Sequence, residues 1–195
     1  LAIALYLNFK IMACDLSAGR LVNCKDVVGG IQTVYFIDYG DLTGFVLTAD
    51  EITDATASGQ NLYRYDLKGA GSSLEQAITS SSDNGTTFFE QTLTLSLPKL
   101  SKEDMVQFKL MAYGRPLVIV RDMNDNFVLC GKDHGMSVSG GSITTGGAMG
   151  DMSGTTLTLT GQEKLPANFI SGATFADPYA GLSSASGTVT PGTNS

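Results

Sequence analysis

Residues 92–97, TLTLSL, alternate polar and apolar side chains without a break, and a proline follows them. A period of two places successive side chains on opposite faces of a strand. Extended back to Phe89, the pattern puts Phe89, Leu93, Leu95 and Leu97 on one face, with Gln91 the single polar residue among them. Glu90, Thr92, Thr94 and Ser96 fall on the other face. Pro98 cannot donate to a ladder, so the strand stops there. Whatever this chain folds into must contain a sheet that is buried on one side and wet on the other.

The proline leads into a helix start. Ser101 stands where an N-cap belongs, Asp104 follows three residues later as its capping-box partner, and Glu103 and Asp104 suit the positive end of the helix dipole. Met105, Phe108 and Ala112 then recur at i, i+3 and i+7 as a packing stripe, and Gly114 is placed to end the helix in a left-handed conformation.

The remaining segments read mostly as strands and turns. IQTVYFIDYG, residues 31–40, is rich in β-branched and aromatic residues and ends at a glycine. Residues 41–59 hold a short apolar run, FVLT, and an acidic, Thr-rich connection with Asp50, Glu51 and Asp54. Tyr63, Tyr65 and Leu67 alternate with charged residues as a half-buried strand. Residues 72–97 form a long hairpin about SSSDNG, its first arm more polar than its second, and residues 116–133 form another about Asp122–Asn126. Residues 137–154 are Gly/Ser/Thr-rich and predict a long loop, after which TTLTLT alternates again. Residues 171–195 carry one charge, Asp177, among small residues and predict an extended tail or linker. Without a βαβ alternation, the expected fold is a mainly antiparallel β-sandwich or partial barrel with one short packed helix. The expected divisions are an N-terminal apolar extension at residues 1–25, the β domain at 26–170 and a small-residue tail at 171–195.

The chemistry-bearing residues do not assemble into a reaction. His134 is the only histidine, and no nucleophile elbow or other catalytic signature surrounds it. Cys14, Cys24 and Cys130 lack the spacing of a zinc site or a disulfide framework, so free cysteines in a reducing compartment are expected. DMNDNF, residues 122–127, begins like a calcium loop. Phe127 replaces the sixth-position glycine, however, and Asp133 is too short for the closing glutamate. The glycines between 140 and 154 lack the Lys-Ser/Thr pair of a phosphate loop. No catalytic residue, cofactor or metal is expected, and the acidic residues read as a solvated face. A formal charge of −7 disfavours tight nucleic-acid binding but suits a surface that DNA slides past. The opening LAIALYLNFKI is an apolar run too short to span a bilayer. It reads as a truncated signal peptide, as residues preceding a natural start at Met12, or as an apolar arm that packs on a neighbour.

Taken in order, GGIQTVYFIDYG, the hairpin ending TTFFEQTLTLSLPKL, the short helix, GRPLVIVRDMNDNFVLCGKD and GDMSGTTLTLTGQEKLP resemble the tail tube (major tail) proteins of bacteriophages, loosely those of phages infecting Bacteroidetes-like hosts. The resemblance covers about residues 26–170. It implies a non-enzymatic virion protein of the tail, assembled in the host bacterial cytoplasm. Such subunits form six-fold rings that stack into a tube with other tail proteins and pass double-stranded DNA non-specifically, with no membrane partner. It further implies that Glu75, Glu90, Thr92, Thr94 and Ser96 face the lumen and that Gly140, Gly141, Gly146 and Gly147 belong to an inter-ring loop. Two other readings stay open: a different virion or filament subunit (head-tail connector ring, capsid decoration or outer filament protein), and a secreted carbohydrate-binding β-sandwich. The absence of Trp counts against the last.

Overall fold

The computed structural model describes residues 19–20, 25, 27–67 and 71–192. Cys14, Cys24 and most of the apolar extension lie outside the described residues. In chain order the elements are β1 (Ile31–Ile37), β2 (Thr43–Thr48), β3 (Glu51–Asp66), β4 (Ser73–Ser81), β5 (Thr86–Pro98), α1 (Lys102–Tyr113), β6 (Leu117–Asp122), β7 (Phe127–Cys130), β8 (Ser137–Thr144), β9 (Gly154–Glu163), β10 (Asn168–Ile170) and β11 (Ala185–Pro191). The fold is mainly β with one short helix.

Two sheets make the two layers. In the first, β1 pairs with β6, β6 with β7, β7 with β10, β10 with β3, and β3 again with β1, so five strands close a circuit. Strands β2 and β11 add to further stretches of the sixteen-residue β3. Tyr35, Ile37, Ile52, Leu62, Leu117, Ile119 and Leu129 fill the ring, all of them buried. The second sheet has the order β4-β5-β9-β8, antiparallel throughout. Its inner face places Leu93, Leu95, Leu157 and Leu159 against Val34, Phe36, Val118 and Val120, which leave the ring on its outer side. Strands β1 and β6 are therefore buried on both faces, and their sequences VYFI and LVIV are apolar without alternation for that reason. Cys130 lies in this second cluster, and burial pushes its thiol up to about 12.

Helix α1 closes one flank of the inter-layer core. The Ser101 hydroxyl accepts from the Asp104 amide at 3.0 Å, as an N-cap should. The expected stripe needs correction: Phe108 is buried and Met111 half-buried, but Met105 and Ala112 are exposed. The helix is apolar around most of its circumference, so spacing alone does not select the inward face. The predicted left-handed end is also corrected. Gly114 has φ −91° and ψ 179°, because the chain leaves the helix in extended form toward Pro116 and β6.

Three segments expected to be irregular are ordered. Residues 51–59, read as part of an acidic connection, are the first part of β3. The predicted loop 137–154 begins with strand β8, and only the link 145–153 between β8 and β9 is loop. The predicted C-terminal tail returns over the ring: Tyr179 and Leu182 are buried in its core, and β11 pairs in parallel with β3 from Ala57 to Arg64. Few apolar residues anchor this segment, but each is well seated. The Tyr35 hydroxyl donates to the Phe175 carbonyl at 2.9 Å, and the guanidinium groups of Arg64 and Arg121 lie 4.6 and 4.9 Å from the Phe175 ring centroid. With β10, β11 also brings two parallel pairings into a sheet expected to be antiparallel.

Candidate assembly surfaces

The second sheet carries every residue that the sequence placed on the wet face. Glu90, Thr92, Thr94 and Ser96 alternate with buried Gln91, Leu93 and Leu95 along β5. Directly paired residues share a face. Glu75 on β4 is opposite Thr92, Thr92 is opposite Thr160, and Thr160 is opposite Ser137 on β8. The next rows read Ser73, Thr94, Thr158, Gly140, and then Ser96, Thr156, Ser142. The result is a field of hydroxyl groups that no other element covers fully. Charge is nearly absent from it: among the four strands there is no Lys, Arg or Asp, and the only ionisable side chains are Glu75, Glu90 and Glu163. Glu75 and Glu90 belong to the outer face, while Glu163 is buried.

Gln91, the polar residue on the apolar side, is explained by its partner. Its Oε1 accepts from the buried Gly131 amide at 2.9 Å and ties the sheet to the end of β7. Glu163 does the same further along and was not singled out in the sequence. One of its carboxylate oxygens accepts from the Asp133 and His134 amides at 3.1 and 2.9 Å, and the other lies 3.3 Å from His134 Nδ1. His134 thus has a carboxylate neighbour, but among the described residues no serine, cysteine or threonine nucleophile is hydrogen-bonded to it. The pair borders an open depression of about 560 Å³ with Arg115, Ser137 and Lys164 on its walls. No local motif links Glu163 to His134; twenty-nine residues separate them.

The two edges of the sheet are bare. Among the described residues neither β4 nor β8 has another strand on its outer side, and neither contains Lys or Pro, the residues that usually blunt an edge. Of the four glycines assigned to an inter-ring loop, the structure separates two pairs. Gly140 and Gly141 belong to β8 and pair with Thr158 and Leu157. A Cβ on Gly141 would come within 2.6 Å of the Thr156 carbonyl oxygen, so only glycine allows this close an approach. Gly146 and Gly147 are in the loop proper. There Asp151 accepts from the Gly147 and Ala148 amides at 2.9 and 2.8 Å, which hold its carboxyl below the usual range. The fully exposed Met149 is at the loop's tip, and Met152 reaches back to accept from the Ser96 hydroxyl.

The calcium-like turn is an Asx turn about Asp122, tied through Asn124 to the Val28 backbone. Burial pulls the Asp122 carboxyl upward, but donors from Asn126 and Asn124 outweigh it and hold the group below its ordinary value. Its oxygens are occupied, and among the described residues no three His, Cys, Asp or Glu side chains converge on a common point. No helix among the described residues is long and apolar enough to cross a membrane. The chain matches no family model, no curated protein and no solved structure.

Proposed function

We propose that this protein is a structural subunit that polymerises through its second sheet into a hollow tube, as a phage tail tube does, with the Thr/Ser/Glu face turned to the lumen. The observation that carries this is the combination on one sheet of two bare edges with an uncovered, base-free outer face. Strands β4 and β8 are nine and eight residues long and run in opposite directions. Setting β8 of one copy beside β4 of the next therefore continues the antiparallel alternation, and rotation repeats it around a ring.

The dimensions support the reading. Six copies of a four-stranded sheet at about 4.8 Å per strand would enclose a ring roughly 35 Å across at the backbone, wide enough for a DNA duplex. A wall of hydroxyl groups with glutamates as its only charges offers phosphates no cation to pair with, so a polyanion passes with little friction.

Negative-stain microscopy of the purified protein tests the reading: rings or tubes with a central channel are expected. A chain that stays monomeric at high concentration, alone and with its native partners, overturns it. In a particle that delivers DNA, Glu75→Lys with Glu90→Lys should leave tube formation intact and lower delivery. Unchanged delivery would place these glutamates away from the channel.

A further inference from the structure

The β4–β5 hairpin is longer than the sheet that holds it. Strand β9 pairs with β5 only from Phe89 to Pro98, so among the described residues Thr79, Ser80 and Ser81 pair with Phe88, Thr87 and Thr86 and with no third strand. A two-stranded ribbon is marginally stable by itself. This one is held by little side-chain contact: Ser80 and Thr87 share a hydrogen bond at 2.9 Å, and Ser82 through Thr87 are exposed. At its tip Ser82, Asp83, Asn84 and Gly85 make the turn, and Asn84-Gly85 is the one Asn-Gly pair in the chain.

An asparagine carries an electrophile, its amide carbon Cγ, a five-membered ring away from the main-chain nitrogen of the next residue. A side chain on that next residue crowds the approach, and glycine removes it. Gly85 has φ +61°, and a Cβ built on it would meet nothing within 4 Å, so the space about its nitrogen is open. The Asn84 main-chain amide donates to Ser81 Oγ at 3.3 Å, but among the described residues its side-chain amide is hydrogen-bonded to nothing. The other described asparagines fail one condition or more. Asn124 and Asn126 give their side-chain amides to the Val28 carbonyl and the Asp122 carboxylate. Asn168 is buried and gives its own to the Asp50 carbonyl, and Asn61 lies within β3 ahead of the buried Leu62.

We propose that Asn84-Gly85 is a self-modification site, at which the chain converts its own asparagine to aspartate and isoaspartate with water as the only co-reactant. The Gly85 nitrogen gives up its proton to hydroxide and attacks Asn84 Cγ. The new N–C bond closes a succinimide as the Cγ–Nδ2 bond breaks, and the amide nitrogen leaves as ammonia. Water then adds to one of the two ring carbonyls and opens the ring, leaving aspartate, or isoaspartate when the main chain comes to run through Cβ and Cγ. Either product sets a second carboxylate beside Asp83. Isoaspartate also lengthens the main chain by one carbon inside the turn that fixes the Ser81–Thr86 register, so the ribbon loosens as the protein ages. The site needs only the exposed turn and stands whether or not the chain polymerises.

The test holds the purified full chain in warm buffer at a series of pH values about neutrality, beside an Asn84→Gln variant, whose ring would need six members. Samples taken over weeks are digested and sequenced by mass spectrometry. The peptide with residue 84 should lose its amide, gaining the mass of an amide-to-acid exchange in two products that chromatography separates. The loss should quicken as pH rises, while Asn61, Asn124 and Asn126 and the Asn84→Gln variant stay intact. Amide exchange over residues 79–88 should be faster in the aged parent than in the aged variant. An Asn84 that outlasts Asn126, or that reacts only when denaturant has unfolded the chain, overturns the site. Conversion at 84 with unchanged exchange over 79–88 supports the chemistry and overturns the loosening of the ribbon.

Discussion

Strands β6 and β9 face the same inter-layer core, and their sequences could hardly differ more. β6 reads LVIV and is buried at every one of those positions, while β9 reads TTLTLT and, from Thr156 on, alternates half-buried and buried. The difference lies in what stands behind each strand. Behind β6 is the filled ring, so both parities must be apolar; behind β9 no layer stands among the described residues, so one parity is free to be hydroxyl-bearing. The contrast extends to the edges. The ring closes on itself and the spare length of β3 is taken up by β2 and β11, whereas among the described residues the second sheet ends at β4 and β8. One layer is finished as a monomer, and the other has an unused face and two unused edges.

The largest effect should come from polar substitution in the doubly buried wall. Val118 and Ile119 face opposite cores and are both fully buried. Val118→Asp and Ile119→Asp should each cost more than about 4 kcal/mol and leave no folded protein in a denaturation experiment. Tolerance of either would mean that one of the two cores is not packed as described. In β5 the same pair of neighbours should behave asymmetrically: Leu95→Ala should cost about 3 kcal/mol by leaving a cavity, and Thr94→Ala within about 0.5 kcal/mol of nothing. Equal costs at 94 and 95 would show that the hydroxyl face is covered in the monomer, and the contrast between the layers would disappear.

How much of this could be read beforehand depended on whether a strand kept its parity. β5 keeps it from Glu90 to Ser96 and β9 from Thr156 on, and over those stretches the wet face was legible. β3 does not. Its buried positions run Ile52, Ala55, Ala57 and Leu62, switching parity twice. One switch falls where the pairing with β2 slips near Asp54, and the other at Gly59, where β11 skips a residue and the glycine has φ +65°. A strand with two bulges has no period to detect, and its acidic and threonine residues then look like a connection. The C-terminal segment was illegible for a different reason. Phe175, Tyr179 and Leu182 stand at i, i+4 and i+7, a helical spacing, yet Pro178 and Gly181 interrupt it and the segment is a run of turns over the end of the ring, so the period misleads. On α1 the exposed Val106, Leu110 and Tyr113 and the inward Phe108 and Met111 obey the same helical period, so the inward face was hidden among them.

That C-terminal anchor gives the next prediction. The Phe175 ring lies near two guanidinium groups, and its replacement by leucine removes the cation–π contacts while keeping most of the apolar area. A loss of about 1 kcal/mol is expected, with faster amide exchange in β11 and unchanged exchange in β5 and β9. Equal acceleration in both layers would mean that the sheets unfold as one unit and that the finished and unfinished layers are not separable.

The smallest effect, and the most specific, concerns Asp54. Its carboxylate accepts from the Ser184 amide and the hydroxyls of Ser184 and Ser183, all within 2.9 Å, just before β11 begins. Those donors, the Ser184 amide first, hold the carboxyl at about 2 against an ordinary 3.8. A group whose pKa is depressed by folding stabilises the folded form above its unfolded pKa and loses that contribution as pH falls through the folded value. The clip should therefore be fully closed above about pH 5 and open as the pH approaches 2. Amide exchange over residues 185–191 should rise in that window while the sheet of β5 and β9 stays protected. Asp54→Ala should show the raised exchange at every pH, with the pH dependence gone. Releasing β11 in this way uncovers a length of β3 and turns an edge of the finished layer into one like β4 or β8. If edges without gatekeepers are what drive association here, Asp54→Ala should also form irregular aggregates at neutral pH in negative-stain images, where the parent gives rings or tubes. A variant with raised exchange but no irregular aggregates would show that a bare edge alone is not enough, and that the hydroxyl face must accompany it.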